Sequence, residues 1–397
     1  MKHVMKSVVL GLSLILANGS VAYAQDSQKA QQAYENGDYE IALKEWRLLA
    51  EQGDVDAQNI LGDMYDAGNG VAVDKKEAMK WFRLAAEQGN ADAQYRLGNI
   101  INLTNYTDPE LTQEMLKWYR LAAEQGNAQA QSTLGDLYYQ ENSGVTQDYK
   151  EAVKWYSSLA SNGDASAQNR VGEMYRKGEG VTQDYSQAVK WFLLSAEQGE
   201  EYAQNALGDM YRNGEGVMQD YKEAVKWYRL SEEEGYSYAQ NALGDMYRKG
   251  EGVTQDYKEA VRSYRLATDN VAPNVDAQYN LGEMYRQGEG VTQDYKEALK
   301  WLRLAAAGYL PNADALNALG QMYRKGEGVT QDYDEAVNLY RLAAEQGNSA
   351  AKCSLGQMYE KGEGVAEDKA QAVDLCRKAA EEGDEDAKAL LRRLGAE

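Results

Sequence analysis

AQNALGDMYRNGEGVMQDYKEAVKWYRLSEEEG, residues Ala203 to Gly235, is the unit of which nearly everything after residue 24 is a copy. Aligning its Leu-Gly pair finds Gly62, Gly98, Gly135, Gly172, Gly208, Gly244, Gly282, Gly320 and Gly356, at intervals of 36 to 38 residues. Such a period marks stacked supersecondary units, each too small to bury its apolar face alone. Within the unit, Ala203, Leu207, Met210 and Tyr211 recur at helical spacing, and Ala224, Val225, Trp227, Tyr228 and Leu230 form a second apolar stripe. The spacing predicts two amphipathic helices per unit.

The break between them has its own chemistry. Gly214 suits the positive φ that ends a helix, Gly216 frees a second turn, and Val217 is an apolar plug. Asp220 stands three residues before Glu223, the form of a capping box opening the second helix, and the pair recurs as Asp148/Glu151, Asp256/Glu259, Asp294/Glu297 and Asp332/Glu335. Gly208, Ala203 and Ala206 lack bulk, so the partner helix can approach closely there. All seven tryptophans, from Trp46 to Trp301, share one repeat position, as a packing layer requires.

Composition removes whole classes of function. Lys2 and Lys6, the apolar run Val8 to Ala17 and the small-x-small sequence Ala22-Tyr23-Ala24 read as a secretory leader cleaved after Ala24, giving a periplasmic or secreted protein. The one histidine, His3, lies in that leader, so the mature chain has no imidazole for triad catalysis, metal binding or pH switching. The formal net charge of −21 repels nucleic acid and anionic lipid, and leaves basic proteins and neutral glycans as partners. No later apolar run reaches membrane length, and no cofactor is called for. Cys353 and Cys376 fall in the two helices of one hairpin; an oxidising compartment lets them pair if their Cβ atoms converge, and free they are small apolar fillers.

In order, the expected parts are the leader (1–24), a shortened capping hairpin (25–53), nine repeats (54–383) and a solitary capping helix (384–397). The copy Ala91 to Gly126 has lost its Gly-x-Gly-Val loop and carries Asn102 to Pro109 instead, with Asp108 as N-cap and Pro109 in the first turn. From Gly172 onward the copies converge, with GEGVTQDY at Gly178, Gly250, Gly288 and Gly326. Such identity in exposed loops exceeds what folding requires and reads as recent duplication. Insertions at Asn270 to Val275 and Gly308 to Asn312 lengthen two turns.

The pattern A-x-A-x-x-x-L-G-x-x-Y-x-x-G-x-G-V, then A-x-x-W-Y-x-x-A-A-x-x-G, resembles the Sel-one-like repeat family, a relation of the tetratricopeptide repeats. The resemblance covers nearly all of residues 28 to 394. It implies an all-α, right-handed superhelical solenoid whose first helices line a concave face, and a role as a non-catalytic adaptor for protein partners. On that face Asn205 and Asn241 stand in register, with Asp209 and Asp245 four residues on and Arg212, Arg248 and Arg286 three residues after the acidic position. One reading is ion pairing along a solvated helix. The other is a ladder of amide, carboxylate and guanidinium groups for an extended peptide, with Tyr95, Tyr202, Tyr238 and Tyr279 as exposed anchors.

An enzyme is the rival class, because Ser349-Ala350-Ala351-Lys352 matches S-x-x-K and some cysteine-rich members of the family are described as β-lactamase-like. It lacks a K-T-G partner, and this chain lacks those members' cysteine pattern. Paired acids such as Asp54/Asp56 and Asp384/Asp386 lack a calcium loop's alternating ligands, so helix N-terminal charge accounts for them. An envelope glycan stacked on tyrosines is the second binding class.

Overall fold

The computed structural model describes residues 26–104, 108–269, 273–308 and 311–396. The expected leader lies outside them, as do 105–107 of the altered loop and 270–272 and 309–310 of the two insertions. Among the described residues the secondary structure is entirely helical, in two compact units that divide between Trp191 and Phe192.

The first unit begins with α1 (residues 26–35) and α2 (Tyr39–Glu51), joined across their faces by Lys29 and Glu45 at 2.7 Å. Hairpins α3/α4 (Val55–Ala67, Lys75–Glu87), α5/α6 (Ala91–Thr104, Pro109–Glu124) and α7/α8 (Ala128–Tyr139, Tyr149–Ser161) follow, then α9 (Ala165–Lys177). The unit boundary falls inside α10 (Tyr185–Ala196). The second unit holds α11/α12 (Glu201–Asn213, Tyr221–Glu233), α13/α14 (Ser237–Lys249, Tyr257–Thr268), α15/α16 (Val275–Gln287, Tyr295–Ala305), α17/α18 (Ala313–Lys325, Tyr333–Glu345) and α19/α20 (Ser349–Lys361, Lys369–Glu381). Helix α21 (Glu385–Leu394) packs on α19 and α20.

Each hairpin closes on the glycine of its Leu-Gly pair. A Cβ on Gly208 would lie 2.4 Å from the ring of Tyr228, and one on Gly244 would lie 2.4 Å from the ring of Tyr264. Both rings are fully buried, and their hydroxyls donate to Asp209 at 2.6 Å and Asp245 at 2.8 Å. Glycine and aspartate thus form one socket, the first for the ring and the second for its hydroxyl. Phe82 fills the socket at Gly62, Leu302 that at Gly282 and Cys376 that at Gly356. The tryptophan layer is buried at Trp46, Trp81, Trp118 and Trp155 but only half-buried at Trp191, Trp227 and Trp301.

The loops do more than turn the chain. Gly214 ends α11 at φ 75°, and Gln219 donates to the Arg212 carbonyl at 2.8 Å. Asp220 accepts from the backbone N–H of Lys222 and Glu223 at 2.9 and 3.1 Å, as expected of the cap. The other half of the expected box is absent, because the Glu223 carboxylate turns outward to Lys226. The second loop glycine presses on the repeat before it: a Cβ on Gly252 would lie 2.3 Å from the Tyr221 carbonyl oxygen, and one on Gly290 2.3 Å from that of Tyr257. The intervening glutamate accepts from the preceding repeat, Glu251 from Arg212 at 3.2 Å, Glu289 from Arg248 at 3.1 Å and Glu363 from Arg324 at 2.8 Å. Loop identity read from sequence as surplus to folding is therefore used by the fold, since Gly, Glu, Gly, Gln and Asp each make a stated contact.

Candidate partner-binding face

The expected site residues are carried by first helices, Tyr95 on α5 in the first unit and the rest on α11, α13 and α15 in the second. First helices approach one another directly within the second unit, α15 with α17 and α19 with α21.

The structure assigns the arginines to the scaffold. The Arg212 side chain is only 21% exposed and holds Glu251, with Asp245 at 3.9 Å; that of Arg248 is 28% exposed and holds Glu289. Pairing three residues back occurs where the acid is glutamate, in Arg176 with Glu173 at 3.1 Å and Arg286 with Glu283 at 2.8 Å through both nitrogens. Where it is aspartate, the shorter side chain is taken up by the tyrosine socket and the arginine reaches to the next repeat. Of the two readings of this ladder, ion pairing or open ligand groups, Arg286 keeps the ion pair three residues back, and Arg212, Arg248 and Arg286 all act as clasps between repeats. Glutamate in the loop, 39 to 41 residues away, gave no periodic signal on its own helix.

The tyrosines separate into two kinds. Tyr202 and Tyr238 are 50% and 58% exposed. Tyr95 and Tyr279, expected to be exposed, are half-buried, Tyr95 against Tyr119 at 5.9 Å and Tyr279 against the core of α16 and α17. Burial, then Glu283, pushes the Tyr279 phenol up to about 12. They occupy the repeat position of Asn205, which is itself half-buried, whereas Tyr202 and Tyr238 sit three residues earlier at the helix start. Sequence reasoning missed Tyr236, whose ring lies 4.9 Å from that of Tyr202 and 5.4 Å from that of Tyr238. Its signal was legible: it stands at an N-cap position, where tyrosine makes no cap bond.

Several expected residues do converge. Asn241, Asp245 and Arg248 from α13 and Tyr279 from α15 line one cleft of about 620 Å³, with Asp276, Glu289 and Asp314. Asn280 donates to Asn241 at 3.1 Å, so the amide row is an inter-helix bond as well as a lining. Four carboxylates against Arg248 and Lys249 leave the cleft net acidic, and Arg248 is already engaged. Such a cleft attracts a cationic side chain and repels an anion. Asn205 and Asp209 lie one repeat earlier, joined at 3.4 Å.

The remaining motifs have partners within the fold. Lys352 of the S-x-x-K match is bonded to Glu382. Asp54 and Asp384 cap their helices, accepting from Ala57 and Ala387. Cys353 and Cys376 are both buried free thiols in one core cluster, and the neighbouring Cys376 thiol, then burial, pushes the Cys353 thiol up. Among the described residues no helix is long and apolar enough to cross a membrane.

The Sel1 repeat family model matches residues 55–90, 91–106, 116–127, 128–164, 165–200, 201–236, 237–270, 275–309, 313–348 and 349–384. The second and third segments are the two sides of the single hairpin whose loop is altered. Among solved structures, c5321, a protective antigen present in uropathogenic Escherichia coli strains and displaying an SLR fold, is 33% identical with a TM-score of 0.77, over 96% of this chain and 83% of that one. A Sel1 repeat protein from Oxalobacter formigenes is 33% identical with a TM-score of 0.64, over 80% of this chain and 90% of that one. No curated protein matches the sequence. With that family model running through most of its length and these two structures superposing on it, the chain belongs to the Sel1 repeat family.

Proposed function

We propose that this protein is a non-catalytic adaptor of the bacterial cell envelope that holds an extended, basic segment of a partner protein along its first helices. Sel1 repeats serve protein–protein interaction, and the chain carries them through most of its length. The observation that carries the finer reading is the acidic cleft between α13, α15 and the start of α17. Its carboxylates come from three successive first helices or their loops, so a linear ligand crossing the stack meets them in turn. The leader-like sequence at residues 1–24 supports export, as does the likeness to a protein described as a protective antigen. The exposed Tyr202 and Tyr238 favour one second reading, stacking on an envelope glycan.

The test uses a photo-crosslinking residue in place of Asn241 or, on the outward face of α14, in place of exposed Leu266. Basic envelope proteins should label from position 241, weaken with salt, and stay unlabelled from 266. Equal labelling from both positions, or salt-insensitive labelling, would sink the proposal. Amino-terminal sequencing of the exported protein should begin at Gln25.

A further inference from the structure

Helices α11 and α13 break a rule that α15, α17 and α19 keep. In those three, an asparagine cap accepts from the third helical N–H, Asn274 from Ala277 at 2.9 Å, Asn312 from Ala315 at 2.8 Å and Asn348 from Ala351 at 2.8 Å. Two of the caps also donate to the aspartate of the preceding first helix, Asn312 to Asp276 at 2.8 Å and Asn348 to Asp314 at 2.7 Å. At α11 and α13 the cap positions hold Glu200 and Tyr236, and neither makes a side-chain cap bond. The aspartate position holds Tyr202 and Tyr238. Losing a cap costs a helix about 1 kcal/mol. A chain that keeps a folding rule in neighbouring copies and drops it in two has a use for the exception.

What the exception creates is a cluster of three rings. Tyr202 meets Tyr236 edge-on at 66°, Tyr236 meets Tyr238 at 33°, and the outer two rings are half open to solvent. Ring faces carry negative charge density. The surrounding sequence adds more: Glu200 and Glu201 precede Tyr202, Glu232 to Glu234 precede Tyr236, and no lysine or arginine occurs between Leu230 and Met246. Glu201 and Asp209 lie close enough to act on the Tyr236 phenol electrostatically. An anion is excluded by charge. A cation is drawn by both rings and carboxylates, and a guanidinium, planar and weakly hydrated, stacks on tyrosine where a hydrated ammonium does so less well.

We infer that Tyr202, Tyr236 and Tyr238 seat an arginine side chain of the bound segment, its guanidinium lying against the open rings and its charge answered by Glu201. This rests on the basic-segment reading and adds to it: the cleft on α13 and α15 supplies bulk charge attraction, whereas the tyrosine cluster on α11 and α13 chooses arginine over lysine.

The experiment is calorimetric titration of the full chain with dodecapeptides of alternating glycine and arginine, glycine and lysine, or glycine and citrulline. The arginine peptide should bind, the lysine peptide about two- to fivefold more weakly, and the citrulline peptide only at background. Tyr202→Ala with Tyr238→Ala should erase the arginine preference, and the corresponding phenylalanine pair should keep it; thermal melts confirm that both variants fold. Asp276→Asn with Asp314→Asn should weaken both cationic peptides equally and leave the preference intact. Cationic peptides that bind alike and ignore the tyrosine variants overturn the arginine seat while sparing the acidic cleft. Failure of both peptides to bind overturns the two readings together. Soluble peptidoglycan fragments that bind through the tyrosines in place of the peptides reassign the cluster to a sugar ring.

Discussion

The start of α13 and the start of α17 occupy the same place in the repeat and are built to different ends. At α17, Asn312 accepts from Ala315 and ties back to Asp276, so the cap residue is bonded through both its oxygen and its nitrogen. At α13, Tyr236 and Tyr238 supply neither bond and lean on each other and on Tyr202. One junction is spent on stability and the other on surface. In a protein made of near-copies, the copies serve as controls for one another, and a departure at an otherwise filled position marks where something besides folding is being served.

The largest perturbation should strike beneath both kinds of junction. Gly244→Leu puts side chain where Tyr264 leaves no room, and should cost 3 kcal/mol or about that, read as a lowered denaturant midpoint for the second unit. In the last hairpin the same socket holds Cys376 beside Cys353. We expect oxidising folding to link them, with a mapped Cys353–Cys376 peptide and about 3 kcal/mol lost on reduction, as for loops of this size. Two free thiols in protein folded under oxidising conditions would leave them as fillers.

Alkali should loosen the tyrosine sockets next. Burial pushes the phenol of Tyr340 up to about 12 from an ordinary 10.0. The unfolded chain loses its proton first as pH rises, so stability from this group is whole below the ordinary value and is lost as pH climbs through about 12. Ellipticity of the parent should fall in that window, and a Tyr340→Phe variant should hold its ellipticity to higher pH; an unchanged alkaline midpoint in the variant would refute the coupling. Asn312→Ala should then cost about 1 kcal/mol, and Tyr236→Asn with Tyr238→Asp, which rewrites α13 in the manner of α17, should gain up to about 1 kcal/mol while weakening capture of arginine peptides. A rewritten α13 that gains nothing in its melt would mean the two junctions differ less than their bonds imply.

Helices, glycine breaks and aspartate caps were legible because they are local: each is set by residues within one turn of each other. The Gly208 close approach was legible too, as absence of bulk, although Tyr228 as its occupant was not, since Val225, Trp227 and Tyr228 share one apolar stripe and periodicity alone does not choose among them. The clasp of Arg212 on Glu251 was hidden for a different reason. A repeat's internal contacts and its contacts with the next copy have the same period, so self-similarity cannot say which glutamate an arginine takes. The same blindness placed Tyr95 and Tyr279 with Tyr202 and Tyr238 on one face, when a shift of three residues along the helix separates half-burial from exposure.

The seam at Gly252 has a consequence for heredity. Because the copies from α11 to α19 register on their predecessors through the same arginine–glutamate clasp, unequal crossing-over between these near-identical copies should yield reading frames with one hairpin more or fewer and those seams intact. Length polymorphism is then the cheap axis of variation for this gene, and the number of first helices flanking α13, which carries parts of both the tyrosine cluster and the acidic cleft, changes in whole repeats.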